Sequence, residues 1–199
     1  KSNSSNIRFL HTFNGSLIDQ LPDLPNCKNI YIASPYFGRT TKGIDLLEQR
    51  YPGSKKKIYP AKHPEGDLDI DVSEILNKFP ETEVNLLKTW AKSTSFAHLK
   101  VYAAFCDDLK GWFFCTSANC TYSAWKGENV EAGLLRIILN DDLLKIFQAS
   151  EENLPTKLRK HYENEKISSM PFPIWATTDT FNGSFSIYIP ENIDAKLPL

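Results

Sequence analysis

The residues best suited to chemistry fall in one forty-residue stretch, Phe96 to Leu135, which reads FAHLKVYAAFCDDLKGWFFCTSANCTYSAWKGENVEAGLL. His98 and Lys100 are separated by one residue, so on a strand starting at His98 they share a face, about 7 Å apart. Two basic groups beside apolar neighbours repel one another and resist desolvation, and an anion between them would relieve both penalties. Thr116-Ser117-Ala118-Asn119 ends the next apolar run. Its hydroxyl and amide groups suit the oxygens of the same anion, and the small Ala118 permits close approach. Glu131 comes twelve residues after Asn119, at the start of another apolar run. A carboxylate there needs a partner, and an imidazole is a plausible one.

HxK followed by TSAN and then NVEAGLL resembles the active-site motif of the phospholipase D superfamily, and the upstream IYIASPYFG resembles that family's early strand. The resemblance spans residues 28–139 and implies a phospholipase D-like fold. It also implies His98 as nucleophile or proton-transfer residue, Lys100 and Asn119 as phosphate ligands, Ser117 as a phosphate or histidine neighbour, and Glu131 as the group that orients His98. One departure stands out. The family pattern often carries an aspartate five residues after the lysine, and Phe105 occupies that position. Some superfamily nucleases and the tyrosyl-DNA phosphodiesterases share this departure, which turns the expectation away from lipid-cleaving members.

The implied chemistry is metal-independent phosphodiester cleavage through a phosphohistidine, with no cofactor and with Lys100 and Asn119 stabilising the growing negative charge. A DNA endonuclease with a restriction or defence role is the leading expectation. The alternatives are a phospholipid hydrolase or phosphatidyltransferase and a non-catalytic module for nucleic-acid binding or assembly. The family mechanism uses two histidines, and this chain has a single HxK. A homodimer with a shared active site is therefore expected. Ser34 and Tyr36, at the end of the early strand, are candidate substrate contacts. Lys55, Lys56 and Lys57, the densest basic run, are candidate contacts to a nucleic-acid backbone. His11, His63 and His161 are expected to be structural.

The elements that must position these residues alternate along the chain. Strands are expected at 7–13, 27–37, 57–60, 83–90, 98–106, 111–115 and 130–139, and helices near 16–21, 43–50, 72–79 and 141–149. The pattern predicts an α/β fold with central strands covered on both faces, and the resemblance implies a mixed β-sheet flanked by helices on both faces. Asn182-Gly183 between two strand-forming runs predicts a C-terminal β-hairpin. Residues 1–150 are expected to form the catalytic domain. Residues 151–199 would supply a charged helix or linker and the hairpin, packed on the same domain. Trp112, Phe113, Phe114 and Trp125 are expected in the core.

With 199 residues, 41% of them hydrophobic, the chain can bury a substantial core. A formal net charge of -1 supplies no general attraction for a polyanion, so a phosphate site must be local. No apolar run reaches membrane-spanning length, and a cytoplasmic protein without a membrane partner is expected. Cys27, Cys106, Cys115 and Cys120 lack metal-ligand spacing and are expected as buried free thiols. Asn119-Cys120-Thr121 is a glycosylation triplet only if the chain is secreted.

Overall fold

The computed structural model describes residues 7–38, 40–63, 65–88, 98–106, 110–138, 142–156, 158, 175–179 and 184–188. The chain divides into two compact units, 1–159 and 160–199.

The first unit is built on a seven-stranded mixed sheet, fulfilling the α/β expectation. Its strands are β1 (Ile7–His11), β2 (Asn29–Ser34), β3 (Lys55–Pro60), β4 (Glu83–Val84), β5 (Val101–Phe105), β6 (Gly111–Thr116) and β7 (Ala132–Ile138). They lie in the order β1-β7-β6-β5-β2-β3-β4. β3 runs parallel to β2 and β4; every other neighbouring pair is antiparallel. The helices are α1 (Leu17–Gln20), α2 (Lys42–Arg50), α3 (Val72–Lys78) and α4 (Tyr122–Lys126).

Alternation along each strand decides which core a residue joins. Ile30 and Ile32 of β2, Tyr102 and Ala104 of β5, and Trp112 and Phe114 of β6 pack with Leu17, Leu47, Ile75 and Trp125 from α1, α2, α3 and α4. Their neighbours Ala33, Val101, Ala103 and Phe105 face the other way, where Tyr59 and Phe147 join them. Phe147 ends a 3-10 helix, Asp142–Phe147, where an α-helix is expected from the sequence. That second face is covered only in part. In the row Tyr59-Ala33-Val101-Cys115-Leu134-Phe9, which crosses six strands, the first three are buried and the last three exposed. All four cysteines are free thiols, but burial holds only for Cys27 and Cys120; Cys115 is exposed on this open part of the sheet.

In the second unit Trp175–Asp179 (β8) pairs antiparallel with Ser184–Tyr188 (β9), the expected hairpin. Asn182-Gly183 at its turn, like His161, lies outside the described residues. No helix among the described residues is long and apolar enough to cross a membrane.

Candidate active site

Topology gathers the candidate residues before any side chain is considered. β5 is antiparallel to β2 and β6, and β6 is antiparallel to β7. The entries to β5 and β7 therefore meet the exits of β2 and β6 at one end of the sheet. His98 and Lys100 precede β5, Ser117 and Asn119 follow β6, Glu131 precedes β7, and Tyr36 follows β2. Glycine permits the close packing: a Cβ on Gly133 would come within 2.5 Å of the Cys115 carbonyl, and one on Gly43 within 2.2 Å of the Cys120 carbonyl.

His98 lies ahead of the strand rather than on it, because β5 begins at Val101. The pairing with Lys100 survives the difference. Lys100 Nζ is 2.8 Å from His98 Nδ1, 3.1 Å from Nε2 and 3.3 Å from its carbonyl oxygen. An ammonium can only donate, so this contact is satisfied by a neutral imidazole that accepts on one nitrogen. The Lys100 backbone is fixed by Thr116 N–H, which donates to its carbonyl at 3.1 Å. The lysine is only 6% exposed, whereas His98 stands open to solvent. Burial pushes the Lys100 ammonium below the usual lysine range, and the Glu131 carboxylate opposes that shift.

Glu131 is 9% exposed and is held from two sides. The Ser117 hydroxyl donates to its carboxylate, while Ala132 N–H donates to Ser117 Oγ at 3.1 Å. Its backbone is clamped by Thr12, whose amide donates to the Glu131 carbonyl at 2.9 Å and whose hydroxyl accepts from Glu131 N–H at 3.0 Å. Thr12 has no signal in the local pattern, because its partner is 119 positions away. The serine thus occupies the acid, and Lys100 feels Glu131 through space.

The loop after β6 carries Asn119. Tyr102 O–H donates to the Ala118 carbonyl at 2.9 Å, and Cys120 N–H reaches Ser34 Oγ at 3.0 Å and the Tyr36 carbonyl at 3.1 Å. Asn119 Oδ1 is buried without a hydrogen-bond partner. A buried acceptor of this kind is unfavourable until a donor such as a hydroxyl meets it.

The remaining candidates divide. Tyr36 is at the site, its ring centroid 6.1 Å from that of His98 at 72°. Ser34 is near it but wholly buried, with its hydroxyl donating to the Tyr36 carbonyl at 2.9 Å and accepting from Cys120 N–H. Lys55, Lys56 and Lys57 run from the opposite end of the sheet to the middle of β3. Lys55 pairs in register with Asn29 where Tyr59 pairs with Ala33, roughly 13 Å along the strand. Lys56 is ion-paired with Glu48, and Lys57 with Glu83 at 3.3 Å. His63, expected to be structural, is buried, yet its ring lies 5.6 Å from that of Tyr36.

No family model and no curated protein matches the chain. Among solved structures, it is similar to Nuc from Salmonella typhimurium, a phospholipase D family member. The identity is 16% and the TM-score 0.43, over 70% of this chain and 86% of that one. It is similar to NucT from Helicobacter pylori at 22% identity and TM-score 0.40, over 70% and 89% of the two chains. The yeast tyrosyl-DNA phosphodiesterase is similar at 17% identity and TM-score 0.40, over 67% of this chain and 46% of that one.

Proposed function

We propose that this chain is a metal-independent phosphodiesterase of the phospholipase D superfamily that cuts DNA through a phosphohistidine. The observation that carries the proposal is the Lys100 ammonium lying on both ring nitrogens of an exposed His98, at the sheet end that also holds Ser117, Asn119 and Glu131. A non-catalytic module has no use for a buried lysine aimed at an exposed imidazole.

A phosphate entering the site takes the Lys100 ammonium in place of the imidazole and so frees the nitrogen lone pair. That nitrogen attacks phosphorus; the P–N bond forms as the P–O bond breaks, and the leaving oxygen takes a proton from an acid. Lys100 balances charge on the non-bridging oxygens. Water then attacks phosphorus, gives its proton to the same acid, and releases His98 and a phosphomonoester.

The acid is assigned to a second His98, supplied by a second copy of the chain around a two-fold axis. The rim of the site supports this assignment. Phe13 and Val130 flank the Thr12–Glu131 clamp and are 79% and 74% exposed. Apolar groups so placed favour an interface through the site itself.

The test is incubation with plasmid and single-stranded DNA in EDTA, comparing wild type with His98→Ala. Cleavage by wild type alone is expected. Activity that vanishes on chelation and returns with Mg²⁺, or that survives His98→Ala, would sink the mechanism. Mixed dimers of wild type and His98→Ala should be nearly inactive; half the wild-type activity in them would show that the site is not shared.

A further inference from the structure

Two peptide planes meet at the Cα of Asn119, and the fold holds both. A peptide group is planar, so a hydrogen bond to one of its atoms restrains the whole plane, and the planes on either side of a residue set its φ and ψ. The first plane carries the Ala118 carbonyl, which accepts from the Tyr102 hydroxyl at 2.9 Å. The second carries Cys120 N–H, which donates to Ser34 Oγ at 3.0 Å and to the Tyr36 carbonyl at 3.1 Å. That carbonyl is itself fixed, because Phe37 N–H in the same plane donates to the buried carboxylate of Asp69 at 2.9 Å. The direction of the Asn119 Cα–Cβ bond is therefore set by hydrogen bonds that its own side chain does not make.

Tyr102 holds the first plane from inside the core. It is wholly buried, and its ring meets Trp125 edge-on at 4.8 Å and 77°. The Ser34 and Trp125 side chains also approach its hydroxyl. Packing of the ring does not call for an oxygen, since phenylalanine fills the same space without bringing a polar group into an apolar core. Burial pushes the phenol well above its ordinary value, so the proton stays on the oxygen and the hydroxyl remains a donor. On the other side of Ala118, its N–H donates to Thr116 Oγ1 at 3.1 Å, and Thr116 Oγ1 donates to the Ala132 carbonyl at 2.8 Å. The residue ahead of Asn119 is thereby tied to the entry of β7, next to Glu131.

Resting on the phosphodiesterase reading above, with Asn119 as a phosphate ligand, we propose that Tyr102 is a positioning residue for the reaction. Its hydroxyl acts through the Ala118 carbonyl to aim the Asn119 amide at the non-bridging oxygens. A donor that stabilises developing charge works only from the right place, and misplacement by about 1 Å can lower a rate about 10²-fold. Tyr102 acts at one remove from the phosphate, through the chain.

A double-variant cycle separates this role from plain stability. The proteins compared are wild type, Tyr102→Phe, Asn119→Ala and the two substitutions together. The quantities read are kcat and KM for thymidine 5′-(p-nitrophenyl phosphate), below the melting range of each protein. Tyr102→Phe keeps the ring against Trp125 and removes the oxygen alone. It should lower kcat about tenfold, with a smaller change in KM. Introduced into Asn119→Ala, where no amide is left to aim, the same substitution should change kcat less than about twofold. Calorimetric titration with inorganic phosphate repeats the cycle without turnover, and the loss of affinity on Tyr102→Phe should be confined to the protein that keeps Asn119. Equal factors in both backgrounds, read in kcat or, where Asn119→Ala is too slow to measure, in phosphate affinity, overturn the role of Tyr102 and leave the phosphodiesterase standing. A Tyr102→Phe protein with wild-type kcat and KM does the same. Wild type that does not cleave the ester removes the phosphodiesterase reading, and the role with it.

Discussion

The two ends of the sheet each bury a lysine near an acid, and they do so to opposite effect. Lys56 is 4% exposed and fully spent: it is ion-paired with Glu48, donates to the Ser54 carbonyl at 2.9 Å and lies over the Phe79 ring. Lys100 is buried to the same degree, but Ser117 engages its acid and its ammonium rests on an imidazole. A buried charge is tolerable when paired and hydrogen-bonded, which describes Lys56. Lys100 keeps attraction in reserve for an anion, and the desolvation of its charge is the cost of doing so. Occupation of the acid, rather than depth of burial, separates Lys56 from the proposed phosphate ligand Lys100.

The contrast breaks most directly by removing each charge in turn. Lys100→Met should lower turnover about 10²–10³-fold, the scale of losing a group that stabilises transition-state charge. Its unfolding free energy should be unchanged or higher by up to about 1 kcal/mol, because a desolvated charge is replaced by an apolar side chain. Lys56→Met should do the reverse, losing about 1–3 kcal/mol as Glu48 and the Ser54 carbonyl lose their donor, with turnover retained below the melting range. Thermal unfolding and steady-state cleavage check both. A Lys100→Met protein that unfolds readily, or a Lys56→Met protein that is stable and inactive, would invert the comparison.

The same contrast explains what was legible in the sequence. His98, Lys100, Ser117, Asn119 and Glu131 lie within one meander, β5-β6-β7, so short-range spacing alone brings them to one end of the sheet. Alternation likewise places Trp112 and Phe114 in the core, where Trp125 of α4 packs with them. Lys55, Lys56 and Lys57 are conspicuous as a charge run, but only the register of β3 with β2 starts them from the far end, and Glu48 and Glu83 engage two of them. Thr12 and Asp69 escape the local pattern for a related reason. Each reaches this end of the sheet from a distant segment by hydrogen bond. The 3-10 turn at Asp142–Phe147 shows the other limit, since apolar spacing registers burial of Phe147 without separating a tight turn from an α-helix.

Ser117 sharpens the comparison with a smaller effect. If its hydroxyl holds Glu131 away from a direct pair with Lys100, Ser117→Ala should let the acid engage the ammonium and make this end resemble the other. The value of kcat/KM should fall about tenfold through weaker capture of phosphate, with an increase in KM exceeding the change in kcat. Ser117→Thr keeps the hydroxyl and should restore most of the activity. A fall in kcat alone, with KM unchanged, would place the serine on the reacting atoms instead.

The smallest effect is the pH dependence that burial imposes on Lys100 alone. Its ammonium is depressed below the ordinary lysine value of 10.5, first by burial, with Glu131 opposing. Anion capture needs the charged form, so turnover should decline as pH rises through this lowered pKa. A guanidinium stays charged throughout that range, so whatever activity Lys100→Arg retains should lack that decline. Stability moves the other way. Below the folded pKa both states hold the proton and the penalty of the buried charge is complete. Between that pKa and 10.5 the folded chain has shed the proton while the unfolded chain keeps it, so stability relative to Lys100→Met rises with pH. Denaturant titrations of the two proteins across alkaline pH should show their gap closing over the window in which wild-type turnover is lost. A gap that stays constant while turnover falls would assign the alkaline limb to a group other than Lys100.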